Sequence, residues 1–119
     1  MNQSAEFGKS GEDLAGKYLE KIGYEIVAKN FRTKYGEIDI IAKDKKTYVF
    51  VEVKTRRDSD YGDPQLAVTN YKQKHLALAA ITFIKKNFLN ADYRFDIIAI
   101  LDDKIEHIEN AFVPSGFTI

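Results

Sequence analysis

The chain has 119 residues, 45% hydrophobic and 13% aromatic, enough to bury one core and too few for two ordinary domains, so a single domain over 1–119 is expected. With no cysteine it excludes a disulfide framework, a zinc–thiolate site and a thiol nucleophile, which suits a reducing cytosol. Its 18 basic and 18 acidic side chains cancel, so any surface for a polyanion has to be a local patch.

Ser10 followed three positions later by Asp13 is a variant capping box, and Leu14, Ala15, Tyr18, Leu19 and Ile22 then recur at helical spacing until Gly23. Strands are predicted over 24–31, 36–42 and 47–54, the last two joined through Lys43-Asp44-Lys45-Lys46 as a hairpin. Residues 55–63 are polar and irregular. Pro64 opens a helical turn to Val68, and Thr69 caps the longest helix, 70–88, whose apolar stripe includes Leu76, Ala80, Ile84 and Phe88. A fourth strand follows over 93–101, then a turn at Asp102-Asp103 and a short fifth strand over 104–108. The order α-β-β-β-α-β-β predicts an α/β sandwich, a mixed β-sheet flanked by helices. No apolar run reaches membrane-spanning length, and Met1-Asn2-Gln3-Ser4-Ala5-Glu6 lacks the basic and apolar regions of a signal peptide. A cytoplasmic protein with no membrane partner is expected.

Charges stand out in two of these strands. Gly36-Glu37-Ile38-Asp39-Ile40-Ile41 and Val49-Phe50-Val51-Glu52-Val53-Lys54 place acids and a lysine inside apolar runs, where an unpaired charge costs several kcal/mol. By strand alternation Glu52 and Lys54 share a face with Tyr48 and Phe50, while Glu37 and Asp39 share one with Ile41. A two-residue hairpin loop at Asp44-Lys45 would set Asp39 opposite Phe50 and diagonal to Glu52, with β-carbons about 7 Å apart. Two carboxylates at that spacing can hold one divalent cation, each reaching roughly 2.1 Å for magnesium. A slip of one residue would separate them onto opposite faces.

Each residue also has an ordinary role open to it. Asp39 can bond a backbone group, Glu52 can pair with Lys54, and Lys54 can snorkel from a strand end. Glu37 lies near a strand start, where water is at hand. Glu12 can simply complement the macrodipole of the first helix, yet it falls on one helical line with Ala15, Gly16 and Leu19 and so extends the face that meets the sheet. The two histidines offer no rival chemistry: His75 lies beside lysines at a helix start and His107 is isolated.

Asp39, then Glu52-Val53-Lys54 on the following strand, with a helix before and after, resembles the core of the PD-(D/E)xK nuclease superfamily. Gly11-Glu12, these two motifs and the stretch from Ala67-Val68-Thr69 to Lys72-Gln73-Lys74 together resemble the YraN family of small bacterial proteins, from about Gly11 to Asn110. The resemblance implies a restriction-endonuclease-like fold, closest in layout to archaeal Holliday-junction resolvases, where a helix-borne acid joins the metal site as Glu12 would here. The superfamily's proline before the first acid is replaced by Ile38. The implied chemistry is phosphodiester hydrolysis. Asp39, Glu52, Glu12 and the Val53 carbonyl would hold Mg2+ or Mn2+, which activates a water and neutralises the attacked phosphate. Lys54 would orient that water or stabilise the transition state. Since resolvases work as dimers, a homodimer is also implied.

A nucleic-acid surface is harder to read. Lys54, Arg56 and Arg57 run into a loop containing Tyr61, and Lys72, Lys74 and His75 extend the patch, while Asp58, Asp60 and Asp63 weaken it. Lys85-Lys86 is explained by the macrodipole at a helix end. Two readings remain: a metal-dependent endonuclease acting on DNA, branched or not, or on structured RNA, and a non-catalytic nucleic-acid-binding or assembly module that keeps the nuclease fold.

Overall fold

The strands carry apolar residues on both faces, and one helix covers each face. A computed structural model describes residues 3–56, 68–87 and 90–114, with side chains from Ser10 onward. The elements are α1 (Gln3–Lys21), β1 (Glu25–Thr33), β2 (Gly36–Asp44), β3 (Thr47–Arg56), α2 (Asn70–Lys86), β4 (Asp92–Leu101) and β5 (Lys104–Ile108). The strands form one sheet in the order β1-β2-β3-β4-β5. All neighbours are antiparallel except β3 and β4, which run parallel because the connection through α2 carries the chain back before β4 begins. This is the predicted mixed α/β sheet, an arrangement consistent with a restriction-endonuclease-like fold. Among the described residues no helix is long and apolar enough to cross a membrane.

On one face Leu76, Ala80, Phe83 and Ile84 of α2 pack against Ile38, Ile41, Phe50, Phe95 and Ile97. On the other, Ala15 and Leu19 of α1 meet Ile40, Ala42, Val49, Val51, Ile98 and Ile100. Thr69 caps α2 as expected, its hydroxyl accepting from the Lys72 N–H at 3.2 Å. The helix ends at Lys86, where Asn87 folds back to donate to the Phe83 carbonyl. Phe88 and the predicted turn at 64–67 lie outside the described residues, and Val68 sits in a bend rather than a helix.

Three expectations are corrected. First, α1 starts at Gln3, so Ser10 and Asp13 lie within it; residues 3–10 contain no proline to stop a helix. Gly11 is needed there for closeness, because a β-carbon would fall 3.0 Å from Thr55 Oγ1 of β3. Second, the β2–β3 turn is Lys45-Lys46, with Lys45 at φ 57° and Asp44 paired with Thr47. Asp44 is kept in the strand by Arg94, whose Nη1 lies 3.5 Å from Asp44 Oδ2. The register therefore differs by two residues, which preserves every face and places Asp39 level with Glu52, one step beyond the last ladder pair, Ile40↔Val51. Third, alternation breaks between Ile38 and Ile41, which both join the α2 cluster, so Asp39 does not simply share a face with Ile41. In β1 the same stretch holds a register shift between Ile26 and Ala28 and Asn30 at φ 52°.

Candidate active site

Asp39 occupies the point where β2 and β3 part. Its Oδ2 accepts the Val53 N–H at 2.8 Å, so a side-chain oxygen replaces the carbonyl that a continued ladder would have supplied. That bond holds the carboxylate at the strand ends, beside Glu52. Glu52 itself is buried, 6% exposed, on the α2 face of β3. From the other side of the sheet α1 delivers Glu12 into hydrogen-bonding reach of Asp39. With its amide nitrogen turned toward the acids, Asn30 donates to Glu37 Oε1 at 2.7 Å and to Glu12 Oε2 at 3.1 Å. The left-handed backbone at Asn30, which asparagine tolerates well, aims its side chain there.

The electrostatics follow from this crowding. Burial, then the Glu52 charge, push the Asp39 carboxyl up to about 7. Burial likewise raises Glu12, with Glu37 adding repulsion. Two lysines answer the excess negative charge. Lys72 of α2 places Nζ 2.5 Å from Glu52 Oε1, and Lys54 of β3 lies 3.9 Å from the same oxygen. Burial and the neighbouring Lys72 hold the Lys54 amine below the ordinary lysine range. Burial works against Lys72 too, but its contact with Glu52 outweighs it and the net shift is upward.

The structure thus places Glu12, Asp39, Glu52, Lys54 and Lys72, with Val53 contributing backbone, about the point where the β2–β3 pairing ends. Lys72, expected as a phosphate contact, is instead bonded to Glu52. Lys74 is exposed on α2, and Arg56 is half-buried at the end of β3. Arg57 and Tyr61 lie outside the described residues. Asn30 escaped the sequence reading; its signal was an asparagine inside a predicted strand, a residue enriched where φ is positive. His107 is not isolated: its Nε2 bonds Asp96 Oδ2 at 2.7 Å in a separate buried cluster.

A cation would find hard oxygen donors here, and magnesium needs only one or two protein carboxylates while keeping several waters. The donor chemistry fits. Among the described residues no three acidic or histidine side chains close into a ready-made cage, and Lys72 occupies part of Glu52.

A family model for the uncharacterised protein family UPF0102 matches residues 11–100, which takes in Glu12, Asp39, Glu52, Lys54 and Lys72. The chain belongs to the UPF0102 family. This is the family to which the YraN resemblance pointed. A UPF0102 protein of Geobacter sulfurreducens is 52% identical over 111 residues, 88% of this chain and 87% of that protein. A UPF0102 protein of Thermodesulfovibrio yellowstonii is 54% identical over 110 residues, covering 90% and 96%, and one of Desulfosudis oleivorans 46% over 115, covering 94% of each.

Proposed function

We propose that this member of the UPF0102 family is a metal-dependent endonuclease that hydrolyses phosphodiester bonds in nucleic acid. One observation carries the reading: where the β2–β3 ladder ends, the Asp39 carboxylate stands between Glu52 on one side and Glu12 on the other, with Lys54 beside Glu52. Burial and the charges of Glu52 and Glu12 raise the Asp39 carboxyl, a repulsion that a divalent cation relieves.

Asp39, Glu52 and Glu12, with the Val53 carbonyl, would hold Mg2+ or Mn2+, which supplies an activated water and charge neutralisation at the phosphate. Asp39 is kept in place by the Val53 N–H, so its carboxylate needs no reordering to accept a ligand. Lys54 is positioned to orient the attacking water or to stabilise the charge that develops on the phosphate. Lys72 neutralises Glu52 until a ligand arrives and is then available to a phosphate oxygen. Attack of water on phosphorus breaks one P–O bond and leaves a phosphomonoester and a hydroxyl end.

The Lys72–Glu52 contact favours a second reading, since it balances the buried acid without any metal. A binding module that keeps the nuclease fold would need no more. Cleavage of junction, flap, single-stranded and transfer-RNA substrates with magnesium or manganese separates the two. The nuclease reading expects cleavage by wild type and none by Glu52→Gln; salt-sensitive binding with no cleavage by either protein supports the binding module instead.

A further inference from the structure

Tyr71 is 73% exposed, the most exposed large hydrophobic side chain among the described residues. It is not loose. His75, one helical turn on, lies against one face of its ring with centroids 4.1 Å apart and planes tilted by 37°. The His75 ring is fixed in turn, because its Nδ1 lies 2.9 Å from the Tyr71 carbonyl. A carbonyl only accepts, so Nδ1 carries the proton. Together the two rings make a short, braced aromatic shelf with one open face.

The shelf adjoins the site on both sides. The next residue, Lys72, is the one bonded to Glu52. Against His75 lies Gly36, where an added β-carbon would come within 3.7 Å of His75 Cβ, and Gly36 leads directly into Glu37 and Asp39. Two turns farther along α2 a trough of about 460 Å³ lies between the β1–β2 hairpin and the helix, with Arg32, Lys34, Tyr35, Thr82 and Lys86 along it. Tyr71, His75, Thr82 and Lys86 fall within about 60° of helix surface, so shelf and trough form one line roughly 20 Å long. Arg32 is shared with Glu37 at 3.5 Å, and Lys34 lies over the Tyr35 ring at 5.2 Å from its centroid. No carboxylate lines the trough itself.

Cations at intervals with an exposed aromatic face at the end are what an unpaired strand needs: phosphates follow the charges, and a base stacks on the ring whatever its sequence. A blunt duplex keeps its bases stacked on one another and has none to offer. Resting on the nuclease reading above, we propose that Tyr71, braced by His75, is a stacking platform for an unpaired base, and that the Arg32–Lys34–Lys86 trough carries the single strand leading to it. The substrate class is then nucleic acid with a single-stranded segment next to the cleaved bond.

Fluorescence anisotropy of the full chain in chelator tests this without any hydrolysis, using labelled oligothymidine, oligouridine and a blunt duplex of equal length. Both single strands should bind more tightly than the duplex; a preference between them tells DNA from RNA. Tyr71→Ala should weaken single-strand binding about tenfold and Tyr71→Phe hardly at all. Lys86→Ala should reduce the slope of log affinity against log salt by about 0.7. Equal single-strand binding by wild type and Tyr71→Ala, at equal melting temperatures, overturns the platform while leaving the cleavage comparison with Glu52→Gln standing. Absence of cleavage by wild type overturns the nuclease reading, and a Tyr71-dependent loss of strand binding would still uphold the platform.

Discussion

Two acids sit on the strands that flank β3, Asp39 half-buried on β2 and Asp96 buried on β4, and they are treated in opposite ways. Asp96 of β4 is fully buried and fully answered: Arg94 donates to both its oxygens at 2.9 and 3.0 Å, His107 lies 2.7 Å away, and the Asn110 N–H bonds it at 2.9 Å. The cluster is closed further by Tyr24, bonded to Arg94 at 2.6 Å and to Glu109 at 3.1 Å, and by Tyr18 against His107 at 3.1 Å. Burial alone would raise the Asp96 carboxyl, but these bonds overcome it and hold it below the ordinary range. Asp39 has one backbone N–H and other acids for company, and it is pushed up to about 7. An acid that the fold satisfies is part of the scaffold; an acid that the fold leaves in repulsion is waiting for something positive.

That contrast breaks most visibly by mutation. Asp96→Ala leaves Arg94 and His107 facing an empty buried socket, and should cost about 3–5 kcal/mol in urea unfolding. A loss below about 1 kcal/mol would mean that the cluster is not the scaffold described.

Asp39→Asn should do the reverse. The asparagine oxygen can still accept the Val53 N–H, while the repelled charge is gone. In the folded chain Asp39 keeps its proton to about pH 7, against an ordinary value of 3.8, so stability falls as pH rises from about 4 to about 7 and then levels off. Asp39→Asn should remove that decline and gain on the order of 2 kcal/mol near pH 8. Asp96 has the opposite sign: its contribution is present above 3.8 and is lost as pH falls through its lowered value. Urea melts of the single variants from below pH 3.8 up to about pH 8 read both slopes; a flat wild-type profile between about pH 4 and 7, common to Asp39→Asn, contradicts the repulsion at Asp39.

The smallest expected effect is at Lys72. Its pair with Glu52 is part-exposed, so Lys72→Ala should change apo stability by about 1 kcal/mol or less. It also frees Glu52, and manganese should then raise the melting temperature of Lys72→Ala more than that of wild type, with no shift in Asp39→Ala. An equal shift in all three proteins would place the cation elsewhere.

Much of this was legible in the sequence. The strand and helix order followed from alternation and helical spacing, and the hairpin pointed to Asp39, Glu52 and Lys54 because their joint occurrence in runs this apolar outweighs the ordinary role open to each. The register was missed by two residues since the turn is decided by Asp44 reaching Arg94, fifty positions away, which no local turn chemistry reveals. The parity of the shift kept the site's residues together all the same. The break in alternation at Asp39 was hidden because it depends on Asn30 and the bulge in the neighbouring strand. Lys72 was read as a surface cation; only the packing of α2 on β3 shows that it reaches Glu52. Asp96 lay in a run as apolar as the one around Asp39, and the sequence alone could not tell an acid that its neighbours satisfy from one they repel.

The most direct test of the central claim is single-turnover cleavage of a flap substrate in manganese by wild type and Glu52→Gln, with folding of both verified by melting temperature. The account predicts cutting by wild type, abolished in the variant and in chelator. Equal cutting by the two folded proteins, or none by wild type on any branched or single-stranded substrate, would contradict it.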